Sequence, residues 1–376
     1  MLQGLTATAP SPPLAGPPHA TFGHTPDGFH TGSEKGRSAV SQRLTPQAWY
    51  QQLAGLPHAT FSHTPAWARI VREVWGGETA AILHPTPDGQ QALLPIVRRR
   101  LARGWLDWTV SGDTGVYGGP LLPQTMEAGA WPAFWQDLRQ TFGPVTLIIP
   151  PGVAWQPPRH GRVVMRSTHR MALDQHPVGQ AYSRGLRSRL NRARRLGVTV
   201  AVAADAEGVA IYDQMYRETL GRWGDRTSWV RPPAFFRALH QHGTPQVRLW
   251  LATLAGTAIA GIWVATFGGE AHYLGGATGQ AGLAAGGSHL LLDHALSAAA
   301  ADGCRTFDFG ASGGWPGLVQ FKEGFGARPE AYGEVHLWPP AMRLYWHLKH
   351  GRLLRTEPEA GNPRAGTQPR EQEEPC

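Results

Sequence analysis

The stretch "FDFGASGGWPGLVQFKEGFGARP", Phe307 to Pro329, decides how the chain is read. It opens as an apolar strand, enters a loop of Gly, Ser and Pro, and then sets one lysine, Lys322, between Phe321 and Phe325. An ammonium beside aromatic rings either snorkels over a surface, pairing with Glu323 or Asp308, or stands where negative charge develops on a reacting group. Asp308, at the C-terminal end of the strand, reads as a loop-capping anchor or as a base. The glycines Gly310, Gly313, Gly314 and Gly317 let the backbone approach a bulky group.

Upstream, "GGSHLLLDHAL" reads as a helix start, with Ser288 as N-cap and Gly286 and Gly287 leaving N–H groups approachable by a phosphate. The alternative is a turn that only starts a core helix. Further back, "YSRGLRSRLNRARRLG" (Tyr182–Gly197) places Tyr182, Leu186, Leu190 and Ala193 on one helical stripe. Arg184, Arg187, Arg189, Arg192, Arg194 and Arg195 cover the rest, and no acid occurs between Asp174 and Asp205. Such a helix cannot pair its charges internally. It either holds phosphates, Arg184, Arg187, Arg192 and Arg195 being the candidates, or pairs elsewhere in the fold. In "GRWGDRTSWV", Arg222, Trp223 and Arg226 combine an aromatic plane with cations, as a nucleotide-contacting loop does. Arg222, Trp223 and the strand residue Tyr273 are candidate substrate contacts.

The 376 residues, with a formal charge of +8, suffice for two ordinary domains and favour an anionic partner. Two cysteines, Cys304 and Cys376, exclude a disulfide framework and a four-ligand zinc site. No window approaches the roughly 20 apolar residues of a membrane span, and the first residues lack the features of a Sec signal, so a cytoplasmic protein is expected. Peripheral contact with a membrane stays open. Residues 1–40 read as disordered and 351–376 as a flexible tail. "LAGPPHATFGHTP" (Leu14–Pro26) recurs as "LAGLPHATFSHTP" (Leu53–Pro65), which reads as a local duplication.

Between the tails one grammar occurs twice. Helices capped by Thr45 with Pro46 and by Thr64 with Pro65 precede strands at "TAAILH", "ALLPIVRRR" and "WLDWTV", a helix over about 124–141 and the strand "VTLIIP". After the strand "VVMRSTHRMAL" come helices at 179–196, 205–222 and 232–242, a three-strand meander over 247–279, a helix at 288–302 and the strand "CRTFDFG". The pattern predicts an α/β (α+β) protein of two similar domains, 41–176 and 177–350, each a mixed, mainly antiparallel sheet flanked by helices.

From about Tyr182 to Tyr332 the sequence resembles the FemABX-type aminoacyltransferases, whose relatives in the GNAT superfamily include acetyltransferases with a BioF2-like domain. The arginine helix, the strand pair in "AGIWVATFGGEAHYLGGAT", the helix "LLLDHALSAAAADGC" and above all "FDFGASGG....GLVQFKEGFGA" carry the resemblance. It implies two tandem GNAT-like domains. Phe321 and Lys322 match the pair that lies in the family's acyl-donor channel, where the lysine stabilises charge on the transferred carbonyl. The implied activity is transfer of an aminoacyl group, from aminoacyl-tRNA, to an amine of a peptidoglycan precursor, with no permanently bound cofactor and no metal. Two departures bear on the donor. Gln280-Ala281-Gly282-Leu283 lacks the glycine of the GNAT pyrophosphate pattern, which argues against acyl-CoA, whereas no coiled-coil arm lies between Asp205 and Pro233, which argues for it. The alternatives are acyl-CoA-dependent acylation of a small molecule, sugar or protein amine, and a non-catalytic RNA-binding protein.

Overall fold

A computed structural model describes residues 41–101, 104–112, 115–224 and 230–350. The predicted disordered segment, the tail, the first copy of the duplicated peptide and Arg226 lie outside them. Two compact units are found, one ending at Trp338 and one beginning at Pro339, which holds helix α10 (Pro340–His350).

The first unit opens with strand β1 (Gln42–Arg43), helix α1 (Pro46–Leu53) and helix α2 (Pro65–Trp75). Both helices start as the sequence predicts, Thr45 and Thr64 accepting from the N–H groups of Ala48 and Trp67, with proline in the first turn. Such a cap is worth about 1 kcal/mol. Strands β2 (Glu78–Pro85), β3 (Gln91–Leu101) and β4 (Leu106–Ser111), helix α3 (Trp131–Phe142) and strand β5 (Val145–Ile149) follow. Helix α3 starts at Trp131, not near 124, because Glu127 to Ala130 forms a separate short turn ahead of Pro132. Strand β6 (Arg162–Ala172) leads to α4 (Arg184–Arg195), β7 (Thr199–Val202), α5 (Ala206–Trp223) and α6 (Pro233–Gly243). Next come β8 (Val247–Leu254), β9 (Thr257–Phe267), β10 (Glu270–Thr278), α7 (Gln280–Ala285), α8 (Gly287–Ala301), β11 (Thr306–Ala311), α9 (Pro316–Glu323) and β12 (Arg328–Leu337).

All twelve strands form one sheet, ordered β1-β2-β3-β4-β5-β12-β6-β11-β10-β9-β8-β7. Each half repeats one pattern. In the first, β1 to β4 pair antiparallel in succession, β4 and β5 are parallel, and β12 closes antiparallel. In the second, β7 to β10 pair antiparallel, β10 and β11 are parallel, and β6 closes antiparallel. The closing strands are exchanged: β6 precedes the second half in sequence yet completes its sheet, while β12 follows it and borders the first. They pair with each other over nine positions, Arg328↔Arg170 to His336↔Arg162, and this ladder welds the halves.

Helices cover both faces, as one-sided apolar elements require. In the first half α3 buries Trp131, Phe134 and Leu138 against β2, β3, β5 and Val335 of β12. In the second, α4 and α8 pack on one face, the predicted stripe Tyr182, Leu186, Leu190 and Ala193 lying inside the core. On the other face α5 and α6 share a cluster with α2 of the first half, where Trp67 and Phe235 meet edge to face at 6.0 Å.

Candidate active site

Strands β10 and β11 run parallel through only three pairs, Glu270↔Thr306, Ala271↔Phe307 and His272↔Asp308, and then separate. On the β10 side an irregularity between Tyr273 and Gly275 turns the strand away, although it stays bonded to β9. On the β11 side Gly310 adopts φ +74°, a conformation glycine alone enters cheaply. A fork opens between residues 273–278 and 309–311, with unpaired strand edges facing it.

Side chains shape the β11 arm. The buried Asp308 accepts the Gly310 N–H at 2.7 Å, the Thr168 hydroxyl at 2.5 Å and the Tyr117 hydroxyl at 2.8 Å. Arg170 Nε lies 3.9 Å from it, while that guanidinium bonds Glu270 at 2.5 Å and Glu330 at 3.1 Å. Asp308 is therefore an anchor: β11, the exchanged strand β6 and the first half all meet on one carboxylate. Tyr117 comes from the loop after β4 and stacks on His272, ring centres 5.6 Å apart.

Lys322 sits on α9 and is 2% exposed. Its Nζ donates to the carbonyls of Gly310 at 2.7 Å and Ala311 at 2.9 Å. It neither snorkels outward nor pairs with Glu323. Burial pushes its ammonium down to about 8, with Asp308 acting in the opposite direction. An ammonium has three N–H bonds, and two are used on the strand. Phe321 packs edge to face on His289 at 4.9 Å, and Phe325 lies behind both.

On the β10 arm, Arg231 donates to the Leu274 carbonyl and Arg222 to that of Thr278. Thr219 holds the Thr278 N–H at 3.1 Å. Arg231 was not among the candidates from the sequence, although the following Pro232-Pro233 rigidly sets its place before α6. Trp223 ends α5, 47% exposed. Tyr273 is pushed up to about 12 by burial, and its hydroxyl lies over Gly276, where a Cβ would stand 2.3 Å away.

Ser288 is not the N-cap of α8. Gly286 caps it at φ +79°, and Ser288 lies in the first turn with its hydroxyl 2.5 Å from Thr278 Oγ1. Gly287 faces Ala260 and Ile259 of β9, so this glycine brings the helix onto the sheet. Helix α4 runs beside α8, bonding Arg194 to Asp293 at 2.6 Å and Arg189 to His289 at 3.2 Å. Arg187 binds the Gln180 carbonyl at 2.9 Å. Arg184, Arg192 and Arg195 are exposed and have no ion-pair partner among the described residues. Among these residues no group of three His, Cys, Asp or Glu is arranged to hold a metal, and no helix is long and apolar enough to cross a membrane.

The corresponding place in the first half is closed. After Ser111↔Leu147 the chain turns back, the Gly118 N–H bonds the Ile148 carbonyl at 2.8 Å, and Leu121 bridges Leu93 of β3. His63 Nε2 donates to the Gly118 carbonyl. A Cβ on Gly118 would stand 2.1 Å from the Ser111 carbonyl carbon.

Residues 180–323 match the family model of an acetyltransferase (GNAT) domain. The chain thus carries a GNAT acetyltransferase domain and is an acyltransferase. The match spans α4 to α9 and includes both arms of the fork. No curated protein matches the chain. Among solved structures, FemX superposes with a TM-score of 0.61 at 13% identity, covering 82% of this chain and 99% of FemX. A conserved protein of unknown function from Bacteroides thetaiotaomicron gives 0.51 at 9% identity, with 78% and 98% covered. At these identities the likeness is one of fold, and it extends through both halves of the acyltransferase.

Proposed function

We propose that this acyltransferase moves an aminoacyl group from aminoacyl-tRNA to an amine of a peptidoglycan precursor, in the cytoplasm. The observation that carries the choice of donor is the occupancy of the fork's carbonyls. Leu274, Thr278, Gly310 and Ala311 already accept from Arg231, Arg222 and Lys322. The pantetheine arm of acyl-CoA carries secondary amide N–H groups, and burying these without acceptors costs about 1–3 kcal/mol each. An aminoacyl ester has no such amides. The exposed Arg184, Arg192 and Arg195 suit the phosphates of a polynucleotide, which they would position without reading sequence.

In this reading the ester carbonyl enters the fork with its oxygen toward the third N–H of Lys322. The acceptor amine attacks the carbonyl carbon, and negative charge grows on that oxygen beside a buried ammonium, where a fixed charge acts most strongly. The C–O bond to the ribose then breaks, the amine loses its proton, and the ribose hydroxyl gains one. Phe321 and His289 wall the site. A second reading, acyl-CoA as donor, is favoured by the Gly286–Gly287 start of the 15-residue helix α8, whose N-terminus attracts phosphate.

The test is to incubate the protein with radiolabelled glycyl-, alanyl- or seryl-tRNA and, separately, with acetyl-CoA, adding lipid-linked or nucleotide-linked muropeptide. Label should leave tRNA only when muropeptide is present. Turnover with acetyl-CoA alone would overturn the choice of donor.

A further inference from the structure

Helix α10 carries an exposed apolar ridge. Leu344 and Leu348, one turn apart, are 59% and 75% exposed. At 3.6 residues per turn the two leucines share a face with Pro340 and Ala341. Arg343 and His347 flank this ridge on one side, Tyr345 and Lys349 on the other, and Lys349 Nζ lies 5.7 Å from the Tyr345 ring centre. The sequence holds no Asp or Glu from residue 335 to 356. Two neighbouring leucines held in water between cations and an aromatic ring are unfavourable as a solvent face.

An occupant must be apolar within and negative at its rim. A second copy of this helix would cover the leucines but bring Arg343 and Lys349 against their equals, which costs energy. At 11 residues the helix is about 16 Å long, too short to span a bilayer and suited to lie along one. We propose that α10 rests on the surface of an anionic phospholipid bilayer, with Leu344 and Leu348 at the acyl boundary and Lys349 at the level of the lipid phosphates. Tyr345 is amphipathic in the same sense, its ring beneath the cation. The proposal does not depend on which donor the fork takes.

Sedimentation of the full-length protein with vesicles tests it, comparing phosphatidylcholine alone with phosphatidylcholine containing one-third phosphatidylglycerol. The protein should bind the anionic vesicles, more weakly as salt rises. The double variant Leu344→Glu/Leu348→Glu should lose about ten-fold or more in affinity, and Lys349→Glu about five-fold or more. Both replaced leucines are exposed, so the melting temperature should not move. Protein left in the supernatant with anionic vesicles overturns the proposal. So does equal binding by the double variant, or a dimer in solution that the same substitutions dissociate.

Discussion

The two halves of the sheet share strand order and pairing sense, yet one fork is open and the other is filled. Between β4 and β5 the returning segment Gly118–Leu121 supplies the missing ladder, and His63 locks it. Between β10 and β11 no segment returns among the described residues, and cationic side chains satisfy the carbonyls there. One repeated architecture thus yields a filled fork and an open one, and the difference lies in what satisfies the backbone there.

Glycines give the sharpest contrast. Gly118→Ala drives a Cβ into backbone atoms 2.1–2.4 Å away and should cost about 4 kcal/mol or more, read by denaturant unfolding. Gly310→Ala meets only the Tyr273 carbonyl at 3.8 Å and should cost about 1–2 kcal/mol, for its φ alone. Equal costs would show that the two forks are not differently packed.

Next in size is Lys322→Ala. It removes two hydrogen bonds to the carbonyls of the half-buried Gly310 and the exposed Ala311, so about 1–3 kcal/mol of stability should go, while transfer falls at least about ten-fold with donor binding nearly unchanged. Loss of stability with full activity would reduce Lys322 to a strut. Arg222→Leu leaves the Thr278 carbonyl only the long bond from Thr219 Oγ1 at 3.4 Å and should raise use of acetyl-CoA relative to aminoacyl-tRNA by about ten-fold, the worth of one part-buried hydrogen bond. An unchanged ratio would break the argument from occupied edges.

Much of this contrast was hidden in the sequence, for physical reasons. Helices α1, α2 and α5 were legible because Thr45, Thr64 and Asp205 cap them locally, and α4 because its stripe has helical period. Helix α9 was not, since Pro316 and Gly317 open it and mimic a continuing loop. Strand β12, "RPEAYGEVHL", is polar enough to hide its inward side, and its exchange with β6 rests on contacts some 160 residues apart that no local pattern encodes. In the site, Lys322 was reached through the family resemblance, but the bond from Tyr117 to Asp308 spans 191 positions and left no trace in sequence. Arg231, a single arginine before two prolines, has no local pattern that separates it from a loop residue.

The pH response also separates the halves. His63 is pushed down to about 4 by burial, so the unfolded chain binds the extra proton first, and stability should fall as pH drops from 6.5 toward 4. His289 shifts to about 4 as well, so His63→Gln should remove only part of the effect, with hydrogen exchange at Gly118 reporting the His63 share. Lys322 has the same sign in another window: its pKa drops from 10.5 to about 8, and its contribution to stability rises as pH climbs between them. Transfer should instead fall as pH passes about 8, because the ammonium is lost. A rate that kept rising there would contradict a charged Lys322. The smallest effect belongs to Arg192→Glu with Arg195→Glu, which should leave unfolding unchanged and weaken tRNA binding in a salt-dependent manner.

The most direct measurement is a crystal structure with a non-hydrolysable 3′-aminoacyl-adenosine. The aminoacyl carbonyl should lie between β10 and β11 within hydrogen-bond reach of Lys322 Nζ, with the β4–β5 fork unaltered. An analogue seated in the first half, or one that binds while residues 273–278 and 309–311 stay untouched, would contradict the account.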